Sequence, residues 1–237
     1  MNIIDIYDRF IDKKRKENEK TRYLGQEKWL HASAAGSCAR KQYYKHVDLV
    51  PEKPFSTDVQ RLFRLGNIVH DDIQCAINEY AINENVTVFI EQEILIPEWN
   101  VRGFLDMVIV DDNELYDIKT CNTRKFKILS GKLNVYNEPK NYYLQLATYA
   151  YWYEQKNGKQ LDKMALVFYN KDNSDMMEIE VRRSHIKEAK TYWETLKNEF
   201  FNGVPEVSLG FAPMKKWECN YCNYFDHCGE GFGDGKR

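Results

Sequence analysis

Gly103-Phe104-Leu105-Asp106-Met107-Val108-Ile109-Val110-Asp111-Asp112-Asn113-Glu114-Leu115-Tyr116-Asp117-Ile118-Lys119-Thr120 is the stretch whose reading decides the fold of this chain. Two apolar, β-branched runs, 101–110 and 114–120, flank the short polar break Asp111–Asn113, the pattern of two antiparallel strands. Charged residues interrupt both runs. Asp106 stands between Leu105 and Met107, and Asp117 and Lys119 lie two apart on the next strand, so their side chains share a face. A carboxylate among Leu, Ile and Val is costly to bury unless it is paired or bound to a metal. Two such carboxylates repel each other until a divalent cation relieves them. A lysine beside them supplies a positive charge that holds and polarises water. Together they match a Mg²⁺-type site for phosphodiester hydrolysis. The plain structural alternative is a cross-strand Asp–Lys ion pair on a wet sheet face.

Outward from this pair, residues 86–96 form a third strand-like run, separated from 101–110 by Pro97–Asn100, so the three are expected to form an antiparallel meander. Helical spacing marks 2–19 (Ile3, Ile6, Tyr7, Phe10, Ile11), 37–47, 57–80 (Leu62, Leu65, Val69, Ile73, Ala76, Tyr80), 141–156 and 184–201. Further strands are read at 164–170 and 177–182. The element order predicts an α/β fold with a mixed central sheet flanked by helices, not a parallel βαβ alternation. One domain spans 1–237, with its core at about 57–201 and an annex made from 1–56 and 202–237.

The chain has 237 residues, 43% hydrophobic and 30% charged, with 12 Gly and 6 Pro, which excludes disordered and collagen-like classes. Mean hydropathy is −0.65, and no long uncharged apolar run exists, so no membrane span is expected. Asp5 and Asp8 interrupt the first apolar residues, unlike a secretory signal, and a cytoplasmic protein (host cytoplasm if phage-encoded) is expected. Net charge is −2, so a polyanion would be gripped by local clusters. Arg124, Lys125, Lys127 and Lys132 form such a cluster directly after the Asp-x-Lys strand and would track backbone phosphates. Phe126 and nearby tyrosines are candidates to stack on unpaired bases.

His70 borders the apolar stripe of its helix, four residues after Gly66, which is expected to leave open space there; a neutral imidazole is a good metal ligand. Gln145 and Tyr149 are four apart on one helix face and can hold a phosphate oxygen or orient a lysine. In order, Gly66-x-x-x-His70, Gly103-Phe104-Leu105-Asp106, Asp117-Ile118-Lys119 and Gln145-x-x-x-Tyr149 resemble the motifs of RecB-type nucleases of the PD-(D/E)XK superfamily. The resemblance implies a restriction-endonuclease-like core and a DNA nuclease. It implies His70, Asp106, Asp117 and the Ile118 carbonyl as ligands of Mg²⁺ or Mn²⁺, Lys119 as the residue positioning the nucleophilic water, and Gln145 and Tyr149 beside the site. Asp117 departs from the glutamate that many relatives carry.

Cysteines stand at 38, 75, 121, 219, 222 and 228. In a reducing compartment metal binding or burial precedes a disulfide framework. Cys219-x₂-Cys222-x₅-Cys228 lacks a fourth ligand nearby, since His227 adjoins Cys228. Cys38, followed by Arg40 and Tyr43 or Tyr44, resembles the cysteine preceding the core in iron–sulfur members of the family, the Cas-four-like CRISPR-associated exonucleases and the AddB nuclease domain, although Ala39 replaces the usual proline. The resemblance implies that Cys38, Cys219, Cys222 and Cys228 hold a structural [4Fe–4S] cluster, with zinc as the alternative. Cys75 and Cys121 are assigned to packing. The resulting expectation is a Mg²⁺- or Mn²⁺-dependent exonuclease preferring single-stranded DNA, with a helicase, recombination or CRISPR-adaptation partner. The rivals are a non-catalytic DNA-binding or assembly module of the same fold, and a zinc-stabilised scaffold.

Overall fold

A computed structural model describes residues 2–22, 29–47, 55–133, 139–205, 218–219 and 222–228. The remainder of the expected annex, at 23–28, 48–54, 206–217, 220–221 and 229–237, lies outside the described residues.

The three-strand meander forms as its breaks require. β2 (Val88–Ile96) pairs antiparallel with β3 (Val101–Ile109), which pairs antiparallel with β4 (Glu114–Cys121). The connections turn at Asn100 and Asn113, both with left-handed backbone (φ 55° and 57°), a conformation that asparagine tolerates better than most residues. From β4 the chain crosses through α4 (Thr123–Leu129) and α5 (Lys140–Asn157) to β5 (Lys163–Asn170), parallel to β4; β6 (Met176–Glu180) then returns antiparallel to β5. A two-residue strand, β1 (Leu30–His31), runs parallel to the start of β3 and completes a six-stranded mixed sheet. The sequence missed β1, too short to show a period, and α4, which hides in the basic run. Asn122 caps α4 by accepting from the Lys125 N–H at 2.9 Å, a cap worth about 1 kcal/mol.

α5 is buried on all sides along Leu144–Ala150, so it lies inside the molecule between the sheet and α6 (Ser184–Phe201). The Trp193 indole of α6 donates to Thr148 Oγ1 at 2.8 Å, satisfying two buried polar groups at once. The N-terminal helices behave differently. α1 (Ile3–Arg22) lies on α3 (Thr57–Glu84) through a paired contact of Arg61 with both oxygens of Asp8, but Ile3, Ile6, Tyr7 and Phe10 of its apolar stripe are exposed and Ile11 alone of the five is buried. Periodicity located these helices correctly but overstated how much they bury.

Glu91 is the odd residue of the sheet. It has φ 52° in the middle of β2, where a non-glycine residue costs about 1–2 kcal/mol. Register is the same on both sides of it (Ile90↔Met107 and Gln92↔Leu105), so no inserted residue demands the kink.

Candidate active site

Asp106 sits at a gap in the sheet. On one side the β2–β3 pairing skips Glu91 and Asp106; on the other the β3–β4 ladder ends at Met107↔Tyr116, so β4 peels away from β3 just where Asp117 would face Asp106. The Asp106 side chain replaces the missing ladder bond: Oδ2 accepts from the Ile118 N–H at 2.7 Å. In an extended strand the N–H and C=O of one residue point the same way, so the Ile118 carbonyl faces this gap as well. The Asp106 carbonyl is met by a side chain instead of a strand, the Gln74 amide of α3 donating at 3.3 Å.

Into this gap the structure brings His70, Asp106, Asp117, Lys119, Gln145 and Tyr149. His70 Nδ1 is 3.5 Å from Asp106 Oδ2, and Lys119 Nζ is 2.6 Å from Asp117 Oδ2. Gln145 donates to Asp117 Oδ1 at 3.3 Å and to the Tyr149 hydroxyl at 3.0 Å. Asp117 is fully buried and Asp106 nearly so. Burial pushes the Asp117 carboxyl up to about 7, with the Asp106 charge adding to the rise and Lys119 opposing it. Burial likewise lifts Asp106 to about 6 against the pull of Lys119. For Lys119 burial acts downward, yet Asp117 and Asp106 outweigh it and hold the amine above its ordinary range. Desolvation and the Lys119 charge lower His70, keeping its imidazole neutral. Carboxylates pushed up and a lysine pushed up, within one buried cluster, is the pattern expected of a functional site.

Of the two motif glycines, Gly103 has a steric reason. A Cβ at Gly103 would lie 2.8 Å from Ala32 Cβ and 3.0 Å from Tyr149 Cε1, so only glycine lets the Tyr149 ring reach the gap. Gly66 does not face open space as expected: a Cβ there would meet Thr120 Oγ1 at 3.5 Å, an ordinary contact between α3 and β4. Sequence reasoning missed Gln74 and Glu91, which are hydrogen-bonded at 3.1 Å. Gln74 follows His70 by four residues on the same helix face, a signal available in advance. It also missed Tyr142, whose ring centroid lies 4.2 Å from Lys125 Nζ and 5.3 Å from Lys119 Nζ.

Of the basic cluster, Arg124, Lys127 and Lys132 are exposed and Lys125 is half-buried against Tyr142. Phe126 points the other way, buried in the core, so the expectation that it stacks on bases is corrected.

Cys38, Cys219, Cys222 and Cys228 lie within electrostatic reach of one another. None of the six cysteines is in a disulfide. Burial pushes the Cys38 thiol up, with Cys222 and Cys228 adding to the shift, and Cys222 is raised by burial with Cys219 and Cys228 contributing. The segments that carry them are fastened together: Arg40 of α2 (Ala39–Val47) donates to the Pro205 carbonyl at 2.8 Å and reaches the Cys228 carbonyl at 3.4 Å. Tyr44 packs on Tyr224 with centroids 5.8 Å apart. Cys121 is buried as expected, but Cys75 is exposed on α3, which corrects its assignment to packing.

Among the described residues no three His, Cys, Asp or Glu side chains are arranged to enclose one ion in this conformation. The donor chemistry of the sheet gap nevertheless suits a hard divalent cation: two buried carboxylates, a neutral imidazole and a peptide carbonyl. Asp117 Oδ2, sealed from solvent, has no hydrogen bond of good geometry and lies 2.6 Å from Lys119 Nζ. Cys38, Cys219, Cys222 and Cys228 carry thiols, donors of the kind that iron and zinc take. Among the described residues no helix is long and apolar enough to cross a membrane.

The profile of the PD-(D/E)XK nuclease superfamily matches residues 72–229, a span that holds Asp106, Asp117, Lys119, Gln145 and Tyr149 and begins two residues after His70. No curated protein sequence matches. Among solved structures, SSO0001 is similar at 18% identity, covering 96% of each chain with a TM-score of 0.53. An alkaline exonuclease from Laribacter hongkongensis is similar at 18% identity, covering 74% of this chain and 89% of its own, with a TM-score of 0.48.

Proposed function

This chain belongs to the PD-(D/E)XK nuclease superfamily, and from that premise we propose that it is a divalent-metal-dependent deoxyribonuclease acting as an exonuclease on single-stranded DNA. One observation carries the reading: Asp106, Asp117 and Lys119, with His70, Gln145 and Tyr149, meet in a buried break of the sheet that structural pairing alone does not require. An idle scaffold has no reason to keep two raised carboxylates and a buried lysine together.

His70, Asp106, Asp117 and the Ile118 carbonyl would hold Mg²⁺ or Mn²⁺, which when bound neutralises phosphate charge and lowers the pKa of water. Asp117 and Asp106 hold the Lys119 amine above its ordinary range, which favours donation: it would orient the attacking water and stabilise charge on the phosphate oxygens. Gln145 fixes the Asp117 carboxylate from the α5 side, and Tyr149 holds Gln145. Lys125, set against the Tyr142 ring that Lys119 also approaches, is poised for the neighbouring phosphate, while exposed Arg124, Lys127 and Lys132 extend that track. The preference for single strands is supported by Tyr142, a half-exposed ring beside the gap.

Cys38, Cys219, Cys222 and Cys228 are assigned a [4Fe–4S] cluster of structural role; the mutual influence of their thiols and the Arg40 tether support the set, and zinc is the other occupant that its chemistry admits. Six cysteines outside any disulfide fit a reducing cytoplasm, and a helicase, recombination or CRISPR-adaptation assembly is the expected setting. The test is digestion of end-labelled single- and double-stranded DNA and of circular DNA with Mg²⁺, Mn²⁺ or chelator. Metal-dependent loss of labelled single strands with circles left intact is the expected result. No cleavage by metal-loaded, anaerobically purified protein would leave the non-catalytic module as the better reading.

A further inference from the structure

Asp106 is the pivot of the candidate site, yet its peptide has no strand partner at its own position on β2. What holds the Asp106 carbonyl is a chain of side chains. Gln74 is buried, and its amide nitrogen donates both to the Asp106 carbonyl at 3.3 Å and to Glu91 Oε1 at 3.1 Å. Glu91 thereby fixes the amide with its nitrogen toward Asp106; released, the amide can turn its oxygen to that carbonyl, oxygen against oxygen. Glu91 makes this contact from a backbone at φ 52°, a conformation a glutamate avoids, within a strand whose register runs unbroken past it. Strain kept where the topology does not ask for it marks a functional demand.

We propose that Glu91 is a positioning residue of the nuclease site, acting through Gln74 to set the Asp106 peptide and hence the aim of the Asp106 carboxylate. This rests on the nuclease reading above. The contact through which it acts is the hydrogen bond that its oxygen accepts from the Gln74 amide.

The test compares Glu91→Gly and Glu91→Gln with the parent and with Lys119→Ala, all on the full chain. Glycine relieves the left-handed backbone and removes the Gln74 contact. It should raise the metal-free thermal midpoint by about 2–4 °C while lowering kcat roughly tenfold with little change in KM. Glutamine keeps an oxygen for Gln74 and should stay within about threefold of the parent. Because both residues act on one carbonyl, adding Gln74→Leu to Glu91→Gly should cost no further activity beyond the worse single variant. Full activity in Glu91→Gly, a lowered midpoint in that variant, or a glutamine variant as slow as glycine would each overturn the proposal. A parent that cleaves no DNA, or an undiminished Lys119→Ala, would instead overturn the nuclease reading, and the midpoints would still report whether Glu91 is strained.

Discussion

The sheet gap and the sulfur corner are built by opposite means. At the gap, Asp106, Asp117 and Lys119 come from adjacent strands in one short stretch and Gln145 and Tyr149 from a helix sealed inside the molecule, so the site inherits its precision from the core. At the corner, Cys38 comes from near the chain start and Cys219, Cys222 and Cys228 from its far end, held by Arg40 and a few aromatic contacts. On the reading proposed above, the gap would be a site that the fold makes, and the corner a fastening that makes part of the fold. Changes at the gap should therefore cost chemistry and spare the structure, and changes at the corner should do the reverse.

The largest effect tests the first half. Lys119→Ala should lower metal-dependent cleavage by about 10²–10³-fold, the scale of losing one preorganised charge at a reacting phosphate. The fold survives because Asp117, already lifted to about 7, takes up a proton instead of remaining an unpaired buried charge. Circular dichroism and DNA affinity should change little. A variant that cleaves at the parental rate breaks the assignment.

Cys222→Ala tests the second half. With one thiol of the set removed, anaerobically prepared protein should lose its visible sulfur-to-iron absorbance, and the thermal midpoint should fall by roughly 10 °C as the tail loses its anchor. Residual cleavage per folded molecule should remain within about tenfold of the parent. A colourless parent that contains zinc keeps the comparison and changes the ion; an unchanged midpoint removes the fastening role.

How far each region was legible follows from the same difference. The meander and its charged residues could be read because apolar strands make an inward charge conspicuous, and the four motifs fell in order along the chain. Glu91 could not be read: alternation in β2 gives no hint that its backbone turns left-handed, and its partner Gln74 lies on another element. α4 was hidden because a basic run looks alike on a helix or a loop. The apolar stripe of α1 announced a helix truly but not its burial, since periodicity reports a face and not what covers it.

Lys125→Ala sharpens the boundary of the gap. The ammonium lies against the Tyr142 ring, which Lys119 also approaches, and so it should serve substrate affinity rather than the bond-breaking step. KM for single-stranded DNA should rise about threefold to tenfold with kcat retained, and the salt dependence of binding should lose about one charge. A fall in kcat with KM unchanged would move Lys125 inside the reacting centre.

The smallest effect probes the rear wall. The Tyr149 hydroxyl accepts from Gln145, which in turn donates to Asp117, and the ring fills the space that Gly103 leaves. Tyr149→Phe keeps the ring and removes only the acceptor, so stability should drop by about 1 kcal/mol and kcat by a few-fold as Gln145 loosens. Gln145→Leu removes both bonds and leaves Asp117 held by Lys119 alone, so it should cost more than Tyr149→Phe. The double variant should equal Gln145→Leu, because the hydroxyl then has nothing left to hold. Additive losses in the double variant would mean that Tyr149 touches the substrate itself, and the rear wall would then belong to the reacting centre.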